Sequence, residues 1–549
     1  MPSGVLQRYS SALLKMLLIP AFFYLLAFSL LTYPLILLFS THFFGDTGDG
    51  LQNVWNLWWI DRALTQLHQS PFHTSYIHYP YGTSLWGHTL NLSNGLMALP
   101  LLRVLTMVQV FNSLVLFSFV AAGLTAFLLC YYLTRSYPGS LIGGFIFTFS
   151  NYHFAHAQGH LNLISLEWIP LFVLGCYLLL SRPSLLLGVV SALLLTTILL
   201  TDYYYFLYSA IMAAFLFLGH ALRTRDPLFF YRREMRLPLL AFLVTLLVTA
   251  TPFILPLLLQ NARDPFIGGH SAKELSLDLL ALVIPGGHWR FSDLTQGYWS
   301  SLPGNIHESS VHIGLSVVIV LGYVLIRRRH FARSALALWY GVLVFFAVMS
   351  LGPVLHVWGR EVSSVPLPYS WLEAALPPMK ISGVPVRMMV MVTLSAAVLS
   401  AMGFKLLFQQ SRGTRLLAAL LLAVLLVEYL PQPIPSSRVV IPPYVYALAQ
   451  LPNNGGILDT VAEGTLLLYY QTIHEKPVAL GYIARLPKSV ADRDNGIYLY
   501  KDSRDYAKLV SDYSIRYLVT KAGDEAAAGM PGARLLYEDS RVEIYDLKP

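Results

Sequence analysis

Along its first 430 residues the chain repeats one pattern, an apolar run of about 15–25 residues followed by a short basic cluster or a polar loop. A helix rises 1.5 Å per residue, so about 20 apolar residues cross a hydrocarbon layer roughly 30 Å thick. Lipid offers the backbone no hydrogen-bond partner, and each run must therefore satisfy its own N–H and C=O groups as a helix. Charged residues make up only 12% of the chain, against about a quarter in soluble proteins. The runs therefore predict an α-helical polytopic membrane protein. The formal net charge of +8 does not mark a nucleic-acid partner, because the Arg and Lys residues sit in short clusters between apolar runs, where they set topology.

The clusters are Arg8/Lys15, Arg135, Arg182, Arg223 to Arg236, Arg327 to Arg333 and Arg412/Arg415. Placing all of them in the cytoplasm predicts about eleven crossings, at 12–40, 111–133, 139–152, 161–181, 184–200, 203–221, 238–258, 311–326, 334–350, 386–408 and 414–430. The N-terminus is then cytoplasmic and the C-terminal region extracytoplasmic. The first run, Leu13 to Phe39, is too long for a signal peptide and reads as a retained helix. Counting 89–107 as a crossing would put Arg135, Arg182 and the 223–236 cluster outside, so it reads as a helix in the outer interface. The stretch 52–68, with Trp55, Trp58 and Trp59, reads as a second interfacial helix with an aromatic belt.

This topology predicts a membrane domain over 1–431, with external loops at 41–110, 151–160, 260–310 and 351–385. The linker PQPIP (431–435) leads to an extracytoplasmic domain over 432–549. There ILDTV (457–461), RYLVT (516–520) and VEIYDL (542–547) have strand character and YAKLVSDY has helical spacing, predicting a small α/β fold. Cys130 and Cys176 both lie inside apolar runs and offer the external parts no disulfide.

Ionisable residues avoid the middles of the runs and gather at the external ends, which points to chemistry at the outer boundary. In FGDTGDG (44–50), Asp46 and Asp49 flank small turn residues. Such a pair can act as a general base or hold a divalent cation, or simply cap the helix that follows. In NYHFAHAQGH (151–160), His153, His156 and His160 would share one helical face, suited to metal or phosphate or merely decorating an interfacial turn. In GNIHES (304–309), His307 and Glu308 stand just before a helix. In KISGVPVR (380–387), Lys380 and Arg387 mark the outer end of another, where Arg387 can pair with a lipid phosphate or anchor the interface.

The order of these features resembles the GT-C superfamily of membrane glycosyltransferases, and more narrowly a group of bacterial GT-C-like membrane proteins. The resemblance rests on GDTGDGLQNVWNLWW, FSNYHFAHAQGHLNLISLEWIPL, LGPVLHVWG, LPYSWLEAALPPMKISGVPVRM and the external C-terminal domain. It implies transfer of a sugar from a polyprenyl-phosphate donor to an extracytoplasmic hydroxyl, with inversion, in the bacterial cytoplasmic membrane. It implies Asp46 as general base, with Asp49 beside it as a second catalytic or metal-holding carboxylate. His156, His160, His307, Glu308, Lys380 and Arg387 would then bind substrate. A divalent cation, Mg or Mn, is the one cofactor implied. The partners implied are the lipid-linked donor, membrane lipids and a glycan, lipid or protein acceptor. Two other readings fit an outer-face polytopic protein: a transporter or lipid flippase, which would place ionisable groups near the midplane, and a non-catalytic subunit that keeps the fold.

Overall fold

The computed structural model describes residues 13–226, 228–362, 366–375, 383–524 and 530–548. Among the described residues, seven helices are long and apolar enough to cross a membrane: Leu14–Leu31, Met107–Thr134, Leu161–Ser181, Tyr203–Thr224, Arg233–Arg263, Arg333–Ser350 and Pro385–Gln409. The chain is a multi-pass membrane protein. Helices also stand at the other expected crossings, but they are shorter. Leu185–Thr201 and Arg412–Glu428 have 17 residues each, while Tyr137–Thr148 and Leu315–Ile326 have only 12. A 12-residue helix rises about 18 Å, little more than half the hydrocarbon thickness. Local chemistry sets these lengths. After Thr148 the backbone turns extended at Ser150, whose hydroxyl accepts from the His153 N–H and starts the separate helix Asn151–His156. Gly314, at φ +89°, brings the chain into Leu315–Ile326.

The chain divides into two compact units. The first holds the residues up to Phe39, Asn112–Pro252 and His270–Pro435. Its axis is the helix through Met389–Gln409, buried along nearly its whole length and flanked by Tyr137–Thr148, Arg333–Ser350 and Leu315–Ile326. The closest approach uses small residues. A Cβ on Gly139 would lie 2.6 Å from the Ala401 carbonyl oxygen, and one on Gly143 would lie 3.0 Å from that of Ala397. Two glycines four apart facing alanines are the membrane solution to close helix contact, because lipid supplies no hydrophobic drive between helices. At the opposite extreme, Leu14–Leu31 and Arg233–Arg263 leave Phe22, Leu247 and Val248 mostly exposed, as lipid-facing surfaces should be.

The second unit comprises Ser40–Phe111, Phe253–Gly269 and the chain from Ser436 onward, so the first loop folds with the C-terminal segment. Its central helix is Asp49–Asp61, packed between Leu92–Leu101 and Gly464–His474. Here one expectation is corrected. Trp55 and Trp59 are fully buried in protein and so form no lipid-facing aromatic belt. The Trp55 indole N–H donates to Gln471 Oε1 at 2.7 Å and that of Trp59 to the Pro71 carbonyl at 2.9 Å. Three tryptophans look alike on a flat amphipathic helix and on a core helix; only the segment packed over them separates the two. Leu92–Leu101, at 10 residues, rises about 15 Å and is too short to cross.

The C-terminal segment forms a four-stranded sheet from β1 (Gly456–Asp459), β2 (Ile515–Lys521), β3 (Arg534–Glu538) and β4 (Val542–Asp546), ordered β3-β4-β2-β1. β2 runs parallel to β1, pairing Leu518 with Leu458, and antiparallel to β4, pairing Val519 with Ile544. The expected strands and the helix Tyr506–Tyr513 are present. Strand β3 and the helices Gly464–His474 and Lys488–Asp502 complete an α/β layer around Leu458, Leu509, Ile515 and Leu518.

Gly143→Leu should force apart the two helices of the first unit, since its Cβ alone meets the Ala397 carbonyl at 3.0 Å. Overpacking of this kind costs about 1–3 kcal/mol, and the expected outcome is a lower midpoint in detergent thermal unfolding. A midpoint equal to wild type would show that the glycine contact is not limiting.

Candidate functional site

The acidic turn opens the central helix of the second unit. Asp46 Oδ1 accepts from the N–H groups of Gly48 (3.0 Å) and Gly50 (3.1 Å), two of the donors a helix leaves unpaired at its start. The carboxylate is thus held rigidly at a positive helix end and is only half buried. Asp49 is in the first turn of the same helix. Its charge acts on His88, a buried imidazole bonded to Asn56 Oδ1 at 2.8 Å; burial pushes His88 down to about 3, and Asp49 opposes that only in part. Among the described residues no group of three or more His, Cys, Asp or Glu side chains is arranged to hold a metal.

The first unit holds a second, denser constellation. Arg387, in the turn Pro385–Met388 at the start of the axial helix, gives its Nε and Nη2 to Glu308 Oε1 at 2.9 and 2.5 Å. Glu308 sits on the four-residue helix Ile306–Ser309, whose N–H at Glu308 is capped by Asn305 Oδ1 at 2.9 Å. The second carboxylate oxygen, Oε2, is 3.7 Å from His156 Nε2, and neither atom has a hydrogen-bond partner among the described residues. His156 Nδ1 lies 3.3 Å from His160 Nδ1. The His160 ring meets His307 edge to face at 5.8 Å, and His307 Nδ1 is 3.0 Å from His288 Nε2. Arg387 also lies over the Tyr204 ring, 5.0 Å from its centroid. Asp202, at the break between Leu185–Thr201 and Tyr203–Thr224, caps the latter through the N–H groups of Tyr204 and Tyr205 and accepts from Asn162 at 2.8 Å. His156, Glu308, Asp202 and Arg387 are buried, whereas His160 and His307 are half exposed.

The charges nearly cancel. Arg387 is neutralised by Glu308. Burial, reinforced by its neighbours His160 and Arg387, drives His156 well below the ordinary imidazole range. His288 is pushed down to about 3, again mainly by burial. Burial raises Asp202, with Arg387 pulling the other way.

Five of the residues expected to bind substrate, His156, His160, His307, Glu308 and Arg387, are brought together here from three separate stretches of chain. Lys380 lies outside the described residues. His153 departs from the shared face expected for it. It stacks on Phe119 with ring centroids 3.9 Å apart, its nitrogens against the carbonyls of Thr148 and Ile164, because the helix Asn151–His156 ends before His160. The 260–310 loop is shared between the units: Asp264 holds Ser489 in one, and His288 faces His307 in the other. Asp202, Asn162, Tyr204 and His288 were not singled out as site residues. An aspartate at the junction of two apolar runs was a usable signal for Asp202; His288 was visible only as one of many polar residues in the 260–310 loop.

The fold is GT-C-like, and the likeness is to solved membrane glycosyltransferase structures. The first solved structure in point is arabinofuranosyltransferase AftD from Mycobacteria, matched with a TM-score of 0.61 at 14% identity over 98% of this chain. This chain spans 42% of that one. Weaker likenesses are to the oligosaccharyltransferase AglB from Archaeoglobus fulgidus (TM-score 0.43, 10% identity, 85% of this chain and 65% of that one). ArnT from Cupriavidus metallidurans gives a TM-score of 0.41 at 11% identity, over 95% of this chain and 97% of that one. No curated protein matches the sequence. Residues 20–429 match the family described as Domain of unknown function (DUF6311), and the chain belongs to that family.

Breaking the buried pair should be costly. Arg387→Met leaves Glu308 charged and unpaired, and removing one partner of a buried ion pair costs about 3–5 kcal/mol. The double variant Arg387→Met with Glu308→Met should recover much of that loss in thermal unfolding. A double variant no more stable than Arg387→Met would show that the pair does not act as a unit.

Proposed function

We propose that the protein is a glycosyltransferase that moves a sugar from a polyprenyl-phosphate donor to an acceptor hydroxyl on the extracytoplasmic face of the bacterial cytoplasmic membrane. The observation that carries this reading is the acidic turn: Asp46 is fixed at a helix start, inside a GT-C fold, by two backbone N–H groups. In this reading Asp46 takes the proton of the acceptor hydroxyl, whose oxygen attacks the anomeric carbon. The bond to the lipid phosphate breaks, and the configuration inverts because attack comes from the face opposite the leaving group. The phosphate departs as an anion and needs no proton, only stabilisation of its charge.

A divalent cation such as Mg²⁺ or Mn²⁺ is compatible with the turn, because Asp46 and Asp49 are oxygen donors and such ions keep several waters rather than demanding an all-protein cage. When bound it would supply positive charge to the phosphate. The polar constellation of the helical unit is the substrate-recognition set, and the domain from 432 onward serves acceptor or partner docking outside the membrane.

The test uses purified full-length protein in nanodiscs, with polyprenyl-phosphate sugars as donors. Asp46→Asn keeps a good helix-capping side chain but removes the base, so transfer should fall by about 10²–10⁴-fold with folding intact. Transfer at the wild-type rate would exclude Asp46 as base. Absence of transfer by the wild-type protein across a panel of such donors would favour a non-catalytic subunit, in which Asp46 only caps its helix.

A further inference from the structure

The helical unit carries two strongly basic loops that take no part in the polar constellation. Five arginines stand between 223 and 236 and four between 327 and 333, against only two carboxylates, Asp226 and Glu234. The loops are far apart in the chain, but the helices attached to them pack together. Tyr203–Thr224 runs against Arg333–Ser350, with Tyr208 and Phe346 ring centroids 6.3 Å apart and a Cβ on Gly219 lying 3.2 Å from Leu338. Gly219 is little more than a turn from the end of one helix, and Leu338 little more than a turn from the start of the other. Both loops therefore arrive at one face. The 22 residues of Tyr203–Thr224 rise about 33 Å, which separates this face from Tyr204 and Arg387 at the other end.

Basic clusters at helix ends set topology without further structure, and two features here go beyond that. All nine arginines are exposed, and among the described residues Asp226 with Arg232 is the one ion pair in either loop. Large apolar side chains also stand among them, Leu228 at 65% and Tyr231 at 74% exposure. Phe229 and Phe230, between these two, pack on His220 and Phe217 with ring centroids 4.5 and 6.2 Å apart, which fixes the turn against the end of the preceding helix. The apolar strip continues into exposed Leu222, Leu240 and Ile326 at the ends of the adjoining helices, on surfaces that lipid covers.

We propose that this face is a binding surface for anionic phospholipid. Leu228 and Tyr231 enter the boundary between headgroups and acyl chains, and the arginines of both loops hold the headgroup phosphates. Charge selects the occupant: guanidinium groups crowded on two neighbouring loops repel one another until anions come between them, and each can give two N–H groups to a phosphate. The apolar strip selects a lipid over a free anion, because it is continuous with the lipid-covered helices. Each arginine near an anionic membrane surface strengthens binding about fivefold. The face stands away from the constellation and binds lipid whether or not the protein transfers a sugar.

The test uses full-length Tyr231→Cys protein labelled with bimane in phosphatidylcholine nanodiscs. These contain a fixed fraction of either phosphatidylglycerol or phosphatidylcholine carrying a doxyl quencher near the headgroup. Cys130 and Cys176 are buried, so the label goes to position 231. The expected result is quenching by both lipids, several-fold stronger by the phosphatidylglycerol. Combining Arg232→Gln, Arg233→Gln and Arg236→Gln should bring the ratio toward one, and so should about 0.5 M salt. Equal quenching by the two lipids before those substitutions would overturn the proposal. Absence of quenching by either would also overturn it, placing the loop against water or another protein. If Tyr231→Cys does not fold, the same label on Leu228→Cys gives the same readout.

Discussion

A guanidinium and a carboxylate meet at 2.5 Å in the helical unit, and the elements around its polar constellation take their places from that contact. Neither charge could remain in this interior alone, since the solvation lost on burial amounts to several kcal/mol per ion. Arg387 is therefore bound to Glu308, and the start of the axial helix is bound to the short helix Ile306–Ser309. Through the free face of Glu308 the segment Asn151–His156 is drawn into the same group. One pairing thus brings three stretches of chain together.

Two helices packed on the axial helix, Tyr137–Thr148 and Leu315–Ile326, have only 12 residues each, and polar segments adjoin them. The glycines at 139 and 143 let the first of these pack closely on the axial helix. Lipid forbids unpaired backbone, so the broken stretches hold only because side chains such as Ser150 and Asn305 take up the exposed N–H groups.

Much of this was legible in the residues. Apolar run length predicted the helices, and turn chemistry marked an Asp of the 44–50 turn as a cap for the helix that follows; the structure gives that place to Asp46 and starts the helix at Asp49. His156, His160, His307, Glu308 and Arg387 stood out as polar residues at the ends of apolar runs, and they do converge. What could not be read was partnership. Arg387 looked equally suited to a lipid phosphate, but its hydrogen bonds go to Glu308. His153 shared its spacing with His156 yet turns onto Phe119. The tryptophans at 55 and 59 had interfacial character but are covered by a helix more than 400 residues further along the chain.

Residue order alone was enough to set the class of solvent, the fold type and the places where chemistry could be. These depend on local quantities: the length of an apolar run, the side chain at a helix start, the position of a basic cluster. Only the tertiary structure decided which polar groups face one another and which charges are already satisfied, because those contacts join residues far apart in the chain, and a change of one helical turn would have chosen different partners.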